Sequence, residues 1–365
     1  MGSFYQNKVE LNLKNWEDFN NATSRETCFW YNRHMKIALV LPWYGPKPWF
    51  WPLFEKSASR IGMDVIVVAE KGFGVAERNF RVIEMSLDEL ARRAAATLGT
   101  EVNLMRGYKL CDLRPMYGVV FADILKDYDY WAYGDCDLVY GRMFNKFLEK
   151  ATNGIWDVAT VKRDLLSGPF TLMRNCDFVN NLFRRSAEWR DVLASSENKV
   201  FDEIGVDWFK LYCFERMTTD QIAHLGDRLW TFGSIVWRAD DVKFLHEDWI
   251  CEDGLKNCSA VMHSEGRLMH GGREISIFHF LVAKTSLSFV GSFGTCSILA
   301  EYEVTRDGIL PVSRFFARLR IRLWHKLCGW SRFAFRVAAG DTEVWGRLRR
   351  FVLRKIGAKN WWYVK

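Results

Sequence analysis

The chain has 365 residues, of which 49% are hydrophobic, so it could form one large domain with extensions or two average domains. No apolar run reaches the roughly 20 residues of a membrane-spanning helix, no secretory signal pattern opens the chain, and the nine cysteines include no C-x-x-C pair. The net charge of +7 is uneven, because residues 311–365 hold 14 basic and 2 acidic residues, +12 in all, which leaves the remainder at −5.

These features exclude a membrane-spanning or disulfide-rich secreted protein and favour a cytoplasmic one.

The first part of the chain alternates strands with helices. Residues 1–34 show little apolar periodicity and are expected to form an extension before the domain. Apolar runs predict buried strands at 36–41, 63–69 and 80–84, and helices at 54–61 and 86–99. This alternation predicts the α/β class, with a doubly wound, mostly parallel sheet flanked by helices.

Two segments in this part could border an anionic ligand. The loop from Pro42 to Pro48 follows the first strand, where α/β sheets commonly hold a nucleotide. A proline-rich surface turn is the alternative. The charged and aromatic block 108–118 leads into a helix predicted at 115–126, where Lys109 and Arg114 could face an anion. Solvated surface charges are the commoner role for lone basic residues.

An aromatic, strand-like run at 128–134 ends in two carboxylates, Asp135 and Asp137. Alternate side chains of an extended segment point the same way, so both carboxylates could project beyond the strand end. Two oxygen ligands at this spacing suit a divalent cation that also holds a diphosphate. A solvated turn is the alternative interpretation of so short a motif.

The next part of the chain adds further elements and acidic candidates. Helices are predicted at 143–150 and 177–193 and strands at 155–161 and 271–280, and residues 167–175 combine a tight turn with a short strand. Asp202 and Glu203 follow a polar turn and could touch a hydroxylated acceptor, although an exposed helix start is the default for such residues. His279 lies on the last strand and is the candidate for a third metal ligand.

Several blocks, taken together, carry a resemblance. They are Leu41 to Gly45, Tyr108 to Pro115, Gly134 to Asp137, Ser167 to Asn175 and Phe201 to Glu203. In this order they resemble a family of bacterial glycosyltransferases found with polysaccharide genes, over roughly residues 35–280. That family looks like the nucleotide-diphospho-sugar transferases with a GT-A fold, in which an Asp-x-Asp pair binds Mn²⁺ or Mg²⁺.

The resemblance also implies roles for individual residues. Asp135 would lie near the ribose and the metal, Asp137 and His279 would be metal ligands, and Asp202 with Glu203 would face the acceptor. If the reaction inverts the anomeric centre, a carboxylate must take the proton of the acceptor hydroxyl, and Asp202 or Glu203 is the candidate, with Asp220 in reserve. If the configuration is retained, this assignment does not apply. The remaining candidates would border the nucleotide: Pro42, Tyr44, Lys109, Asp112, Ser167 and Gly168. The chain departs from the family at Pro169, where a histidine is the more usual residue.

The C-terminal segment 291–365 is expected to be helical, basic and aromatic. One helical face of its first part is apolar and the other basic: Phe315, Phe316, Leu319, Leu323, Trp324 and Leu327 against Arg314, Arg318, Arg322 and Lys326. This pattern predicts binding to an anionic membrane surface through residues 311–365. Nucleic acid would attract the same charges, but the tryptophans favour the lipid boundary.

The combined expectation is a three-part chain: the extension 1–34, a GT-A-like catalytic domain at 35–290, and the segment 291–365. We expect a metal-dependent glycosyltransferase of the hexosyltransferase class at the inner face of the cytoplasmic membrane. Its acceptor would be a saccharide or lipid-linked precursor of capsule, O-antigen or lipopolysaccharide. The alternatives are a nucleotidyltransferase, for which Pro42 to Pro46 is a poor phosphate loop, and a catalytically silent binding module.

Overall fold

A computed structural model describes residues 35–48, 50–105, 107–203, 231–252, 260–280, 301–305 and 308–311. The expected extension 1–34, the reserve acid Asp220 and the basic segment after residue 311 lie outside the described residues.

The strands are β1 (Ile37–Trp43), β2 (Asp64–Ala69), β3 (Phe80–Glu84), β4 (Tyr130–Gly134), β5 (Leu138–Tyr140), β6 (Val158–Thr160), β7 (Phe170–Arg174), β8 (Phe244–His246), β9 (Ile250–Glu252), β10 (Ala260–Met262), β11 (Leu268–His270), β12 (Arg273–Ile275), β13 (Ile277–His279), β14 (Tyr302–Thr305) and β15 (Gly308–Pro311). The α-helices span Trp51–Ala58, Leu87–Leu98, Leu110–Leu113, Tyr117–Val120, Ala122–Leu125, Phe144–Ala151, Asp177–Asn180, Trp189–Ala194 and Phe232–Arg238, and 3-10 turns span Gly107–Lys109, Arg114–Met116 and Leu182–Arg185.

The central sheet has seven strands in the order β3-β2-β1-β4-β7-β6-β8. The pairs among β3, β2, β1 and β4 are parallel, whereas β7 runs antiparallel to both β4 and β6. Successive side chains of β1 enter opposite cores: Leu39 and Leu41 pack on one face, and Ala38 and Val40 on the other. The sheet is therefore covered on both faces, and the predicted α/β class with a doubly wound mixed sheet flanked by helices is confirmed.

The helix after β3 forms as its sequence predicts. Ser86 and Glu89 make a reciprocal capping box, and Gly99 ends the helix in the left-handed conformation at φ 68°. By contrast, the helix predicted at 177–193 is interrupted, because Ser186 adopts extended backbone (φ −72°, ψ 130°) after the 3-10 turn. The helix predicted at 115–126 is likewise divided, with Phe121 at φ −112° and ψ 26° between its parts.

The strand predicted at 271–280 is two strands that belong to different sheets. β12 joins the sheet ordered β12-β11-β10-β14-β15, whereas β13 joins the sheet ordered β5-β13-β9. Ser276 separates them, and its carbonyl accepts the backbone N–H of Gly141 at 2.8 Å. The chain therefore changes sheets at this residue, which periodicity along one segment does not reveal.

Two strands that lie beyond the domain boundary expected at residue 290 pair with a sheet of the body. β14 pairs antiparallel with β10, bringing Val304 opposite Ala260, and β15 pairs with β14. Tyr302 and Val304 are buried in the same core as β1. Within the segment 291–365, which was expected to be helical, the described residues 302–305 and 308–311 are therefore paired strands that belong to a sheet of the α/β body.

Gly134 ends β4 in close contact with the turn that precedes β7. An added Cβ would lie 2.6 Å from the carbonyl oxygen of Pro169, which also accepts the N–H of Asp135 at 3.0 Å. Pro169 makes this contact through its backbone. The contact therefore does not depend on the histidine that the resemblance favours at this position.

We predict that Gly134→Ala lowers the free energy of unfolding by ~1–3 kcal/mol, because the strand end and the turn would have to separate. Urea denaturation measures this change. Gly74→Ala is the control, since nothing lies within 4 Å of a Cβ there, and it should have no effect or raise stability by up to ~1 kcal/mol. Equal effects of the two substitutions would contradict the close packing at Gly134.

Candidate functional site

Asp135 and Asp137 lie at the carboxyl end of the central strand β4. Strand β4 is buried along its whole length between β1 and β7, so its end has a fixed position in the sheet. The side chain of Asp135 is 30% exposed, whereas that of Asp137 is only 4% exposed. The two carboxylates therefore lie at the edge of the sheet where α/β proteins bind ligands.

Strand pairing brings His279 to Asp137. His279 is the register partner of Leu138 in the antiparallel pair β13 and β5. The N–H of Phe280 donates to the carbonyl of Asp137 at 3.2 Å, and Nε2 of His279 lies 3.3 Å from Oδ2 of Asp137. Two residues separated by 142 positions in sequence are thus in direct contact.

One ligand atom from each of Asp135, Asp137 and His279 lies within 4.8 Å of the others. Two carboxylates and an imidazole form a mixed oxygen and nitrogen donor set, which suits Mn²⁺ and related divalent cations. The structure therefore brings together all three residues that the resemblance implied as ligands. The chemistry of this donor set fits a divalent metal.

The imidazole of His279 has a carboxylate on each side. Nδ1 lies 3.0 Å from Oε1 of Glu252, and Nε2 faces Asp137. Burial acts to lower the pKa of His279, but the two carboxylates outweigh it and raise the pKa to about 10. The two neighbouring carboxylates therefore favour the protonated imidazole.

Arg114 connects the Asp-x-Asp segment to Asp202. Its guanidinium pairs with Oδ1 of Asp135 and donates to Oδ2 of Asp202 at 2.9 Å and to the carbonyl of Gly168 at 3.2 Å. Arginine suits this position because its planar group offers several donors in a fixed arrangement. We expected Arg114 to face an anionic ligand. In this structure the anions that it faces are two carboxylates of the chain, Asp135 and Asp202.

A cavity of about 680 Å³ opens beside these residues, within the usual range for small-molecule sites. Six residues singled out from the sequence line it: Pro42, Tyr44, Lys109, Arg114, Asp135 and Asp137. The hydroxyl of Tyr44 lies 3.5 Å from the carbonyl of Ser86. The lining also includes Tyr108, Cys111 and Tyr117 from the block 108–118, and Phe50 and Asn198, which had no distinguishing sequence signal.

Lys109 and Asp112 form a buried ion pair and do not present their charges to the cavity. The Lys109 ammonium contacts Oδ2 of Asp112 at 2.9 Å and the carbonyls of Val192 and Glu197. These three contacts use all the donors of a lysine. Asp112 also accepts from the backbone N–H groups of residues 199 and 201, each at 2.8 Å. In this structure the pair holds the segment 197–201, of which Glu197 and Asn198 line the cavity together with Lys109.

Ser167 and Gly168, expected to border the nucleotide, lie outside the lining of this cavity. Ser167 is fully buried, and its N–H donates to Thr160 Oγ1 at 2.9 Å. The N–H of Gly168 donates to Glu203 Oε1 at 2.7 Å, and a Cβ here would lie 2.8 Å from that oxygen. The turn is therefore packed against the acidic pair 202–203, which explains the need for glycine.

Asp202 and Glu203 are also absent from the cavity lining. Asp202 is 2% exposed, and among the described residues its Oδ1 has no hydrogen-bond partner. Burial raises the pKa of both carboxyls; Arg114 opposes the shift at Asp202, and the Gly168 N–H opposes it at Glu203. Both groups thus bind protons more tightly than ordinary carboxylates.

We predict that Lys109→Met lowers the free energy of unfolding by ~3–5 kcal/mol, because it leaves the Asp112 charge buried and unpaired. The double variant Lys109→Met with Asp112→Asn should regain part of this loss, since the uncompensated charge is gone. Chemical denaturation gives both values. If Lys109→Met were fully stable but bound nucleotide more weakly, the result would support the nucleotide contact that the sequence suggested and contradict the structural role of the pair.

Comparison with known proteins adds a family and a distant structural likeness. The crystal structure of mouse xyloside xylosyltransferase 1, in its apo form, aligns with a TM-score of 0.36 and 10% sequence identity, covering 68% of this chain and 99% of that one. No curated protein matches the sequence. A family of unknown function, DUF6625, matches residues 39–286, which is more than half of the chain. The chain therefore belongs to the DUF6625 family.

Proposed function

We propose that this protein is a metal-dependent glycosyltransferase that moves a sugar from a nucleotide-diphospho-sugar to a saccharide or lipid-linked acceptor. The observation that carries the proposal is the cluster of Asp135, Asp137 and His279 at the end of the central strand, next to a cavity of about 680 Å³. A cation site beside a cavity of this size suits a ligand with a diphosphate at one end.

The lining of the cavity supports a nucleotide as the occupant. Pro42 and Trp43 are the last residues of β1, the strand next to β4, and Tyr44 follows them, so these residues and the carboxylates belong to the same edge of the sheet. In this proposal the nucleoside lies against Pro42 and Tyr44, and the diphosphate extends toward Asp135 and Asp137. A Mn²⁺ or Mg²⁺ ion, when bound there, would stabilise the negative charge of the departing nucleoside diphosphate.

If the reaction inverts the anomeric centre, the proposed catalytic base is one of two acids, Asp202 or Glu203. Asp202 suits this role better than Glu203, because Glu203 accepts the N–H of Gly168 while Oδ1 of Asp202 has no partner among the described residues. Arg114 donates to Oδ2 of Asp202 and so orients Oδ1. Such a base would take a proton from the acceptor hydroxyl.

The cellular setting that we propose is the synthesis of bacterial surface polysaccharide at the inner face of the cytoplasmic membrane. The support is the net charge of +12 on 311–365 and the apolar and basic faces that its sequence pattern predicts. In the part of the chain that the structure describes, no helix is long and apolar enough to cross a bilayer. The proposal therefore requires attachment to the membrane surface.

We predict that Asp137→Asn abolishes Mn²⁺-dependent hydrolysis of the donor, a fall of at least about a hundredfold, because a charged ligand is lost from the cation site. A panel of nucleotide sugars incubated with and without Mn²⁺ identifies the donor and gives the rate. Asp123→Asn, which removes a carboxylate that is 66% exposed and pairs with Arg93, is the matched control and should keep full activity.

Two results would refute this part of the proposal. One is full activity of Asp137→Asn in the presence of a chelator, with an unchanged melting temperature. The other is transfer of a nucleotidyl group, which would identify a nucleotidyltransferase. Binding of a nucleotide sugar with neither transfer nor hydrolysis would indicate a catalytically silent module.

We predict that truncation after Pro311 releases the protein from vesicles that contain anionic lipid. Each cation near such a surface contributes about 1 kcal/mol, so the loss of 14 basic residues should remove most of the binding. Vesicle flotation at low and high salt measures it, and neutral vesicles are the control. Unchanged flotation of the truncated protein would contradict the membrane role of 311–365.

A further inference from the structure

Four side chains of alternating charge form a continuous chain behind the proposed cation site. Lys162 Nζ lies 2.9 Å from Oε1 of Glu252, and the same oxygen lies 3.0 Å from Nδ1 of His279. Nε2 of His279 then lies 3.3 Å from Oδ2 of Asp137. Glu252 and Lys162 do not belong to the cluster of possible metal ligands among the described residues. Their position therefore calls for a role other than coordination.

The strand register fixes the contact between Glu252 and His279. β9 and β13 pair in parallel with His279 opposite Glu252, and β13 also pairs with β5, with His279 opposite Leu138. Register partners on adjacent strands present their side chains on the same face of the sheet. The side chain of His279 is 4% exposed, so it has little room to turn away. The backbone of a three-stranded sheet thus holds the imidazole between Glu252 and Asp137.

The chemistry of the contact selects one form of the imidazole. An ionised carboxylate can only accept a hydrogen bond, and Lys162 supports the negative charge of Glu252. Nδ1 of His279 must therefore donate its hydrogen to Glu252. In a neutral imidazole this leaves the lone pair on Nε2, the nitrogen that faces Asp137, where a metal ligand is required.

We propose that Glu252 is a positioning residue for the cation site, which holds the His279 ring and fixes its Nδ1–H tautomer, and that Lys162 keeps Glu252 in place. This inference rests on the proposed function only in assuming a divalent cation at Asp135, Asp137 and His279. Carboxylates that orient a metal-bound histidine typically change metal affinity 10–100-fold when they are removed. No sequence pattern singles out Glu252, because its contact with His279 arises from the pairing of β9 with β13.

The first test measures Mn²⁺ affinity by isothermal titration of the full chain. Glu252→Ala should raise the dissociation constant ~10–100-fold, and Glu252→Gln, which keeps an acceptor oxygen, should raise it less. Lys162→Met should have a smaller effect than Glu252→Ala, because the bond to His279 remains. Glu274→Ala is the matched control: its side chain is 29% exposed, like that of Glu252, and its partner is Arg142, so affinity should not change.

The second test requires no substitution at Glu252. Two-bond ¹H–¹⁵N correlation spectra of the Mg²⁺-loaded protein, assigned with His279→Gln, should show His279 protonated on Nδ1. A purely structural ion pair would not fix this tautomer. Protonation on Nε2 would overturn the proposal even if Glu252→Ala failed to fold.

The outcomes separate this inference from the proposed function. If the unaltered protein does not bind Mn²⁺, the cation site itself is refuted and the role of Glu252 falls with it. If the unaltered protein binds Mn²⁺ and Asp137→Asn does not, but Glu252→Ala binds as tightly as the unaltered protein, only the positioning role is refuted.

Discussion

The pairing of β13 with β5 is the interaction on which the site depends. The hydrogen bond from the backbone N–H of Phe280 to the carbonyl of Asp137, at 3.2 Å, places His279 beside the Asp137 carboxylate, 142 residues earlier in the chain. The pairing of β13 with β9 adds Glu252 from a third strand. None of these groups is adjacent to the others in sequence, so the donor set exists only in the folded protein. Binding of the proposed cation would therefore be linked to the stability of this small sheet, because a cation that binds only the folded state stabilises it.

Charge compensation explains the arrangement around the site. Asp135, Asp137, Asp202 and Glu252 bring four carboxylates close together, and a buried charge is costly unless it is paired. Arg114 neutralises the side that includes Asp135 and Asp202, whereas His279 lies between Asp137 and Glu252. Arg114 also joins Asp135, which lines the cavity, to Asp202, the acid proposed as the base.

Local patterns in the sequence predicted the parts of the structure that local forces determine. The apolar runs of β1, β2 and β3, the capping box at Ser86 and the position of Asp135 and Asp137 after a buried strand are all observed. His279 was a candidate only through the resemblance and the need for a third ligand. The roles of Lys109, Asp112 and Glu252 depend on contacts across 27 to 90 residues, and strand β14 depends on its pairing with β10, so no single segment could indicate them.

The central claim is that a divalent cation binds between Asp135, Asp137 and His279. Anomalous diffraction at the manganese absorption edge, from crystals of the full chain grown with Mn²⁺, tests it most directly. The account predicts a single strong peak at about 2 Å from a carboxylate oxygen of Asp137 and from Nε2 of His279, with Asp135 on the cavity side. A map with no peak there, or with the manganese bound elsewhere, would contradict it.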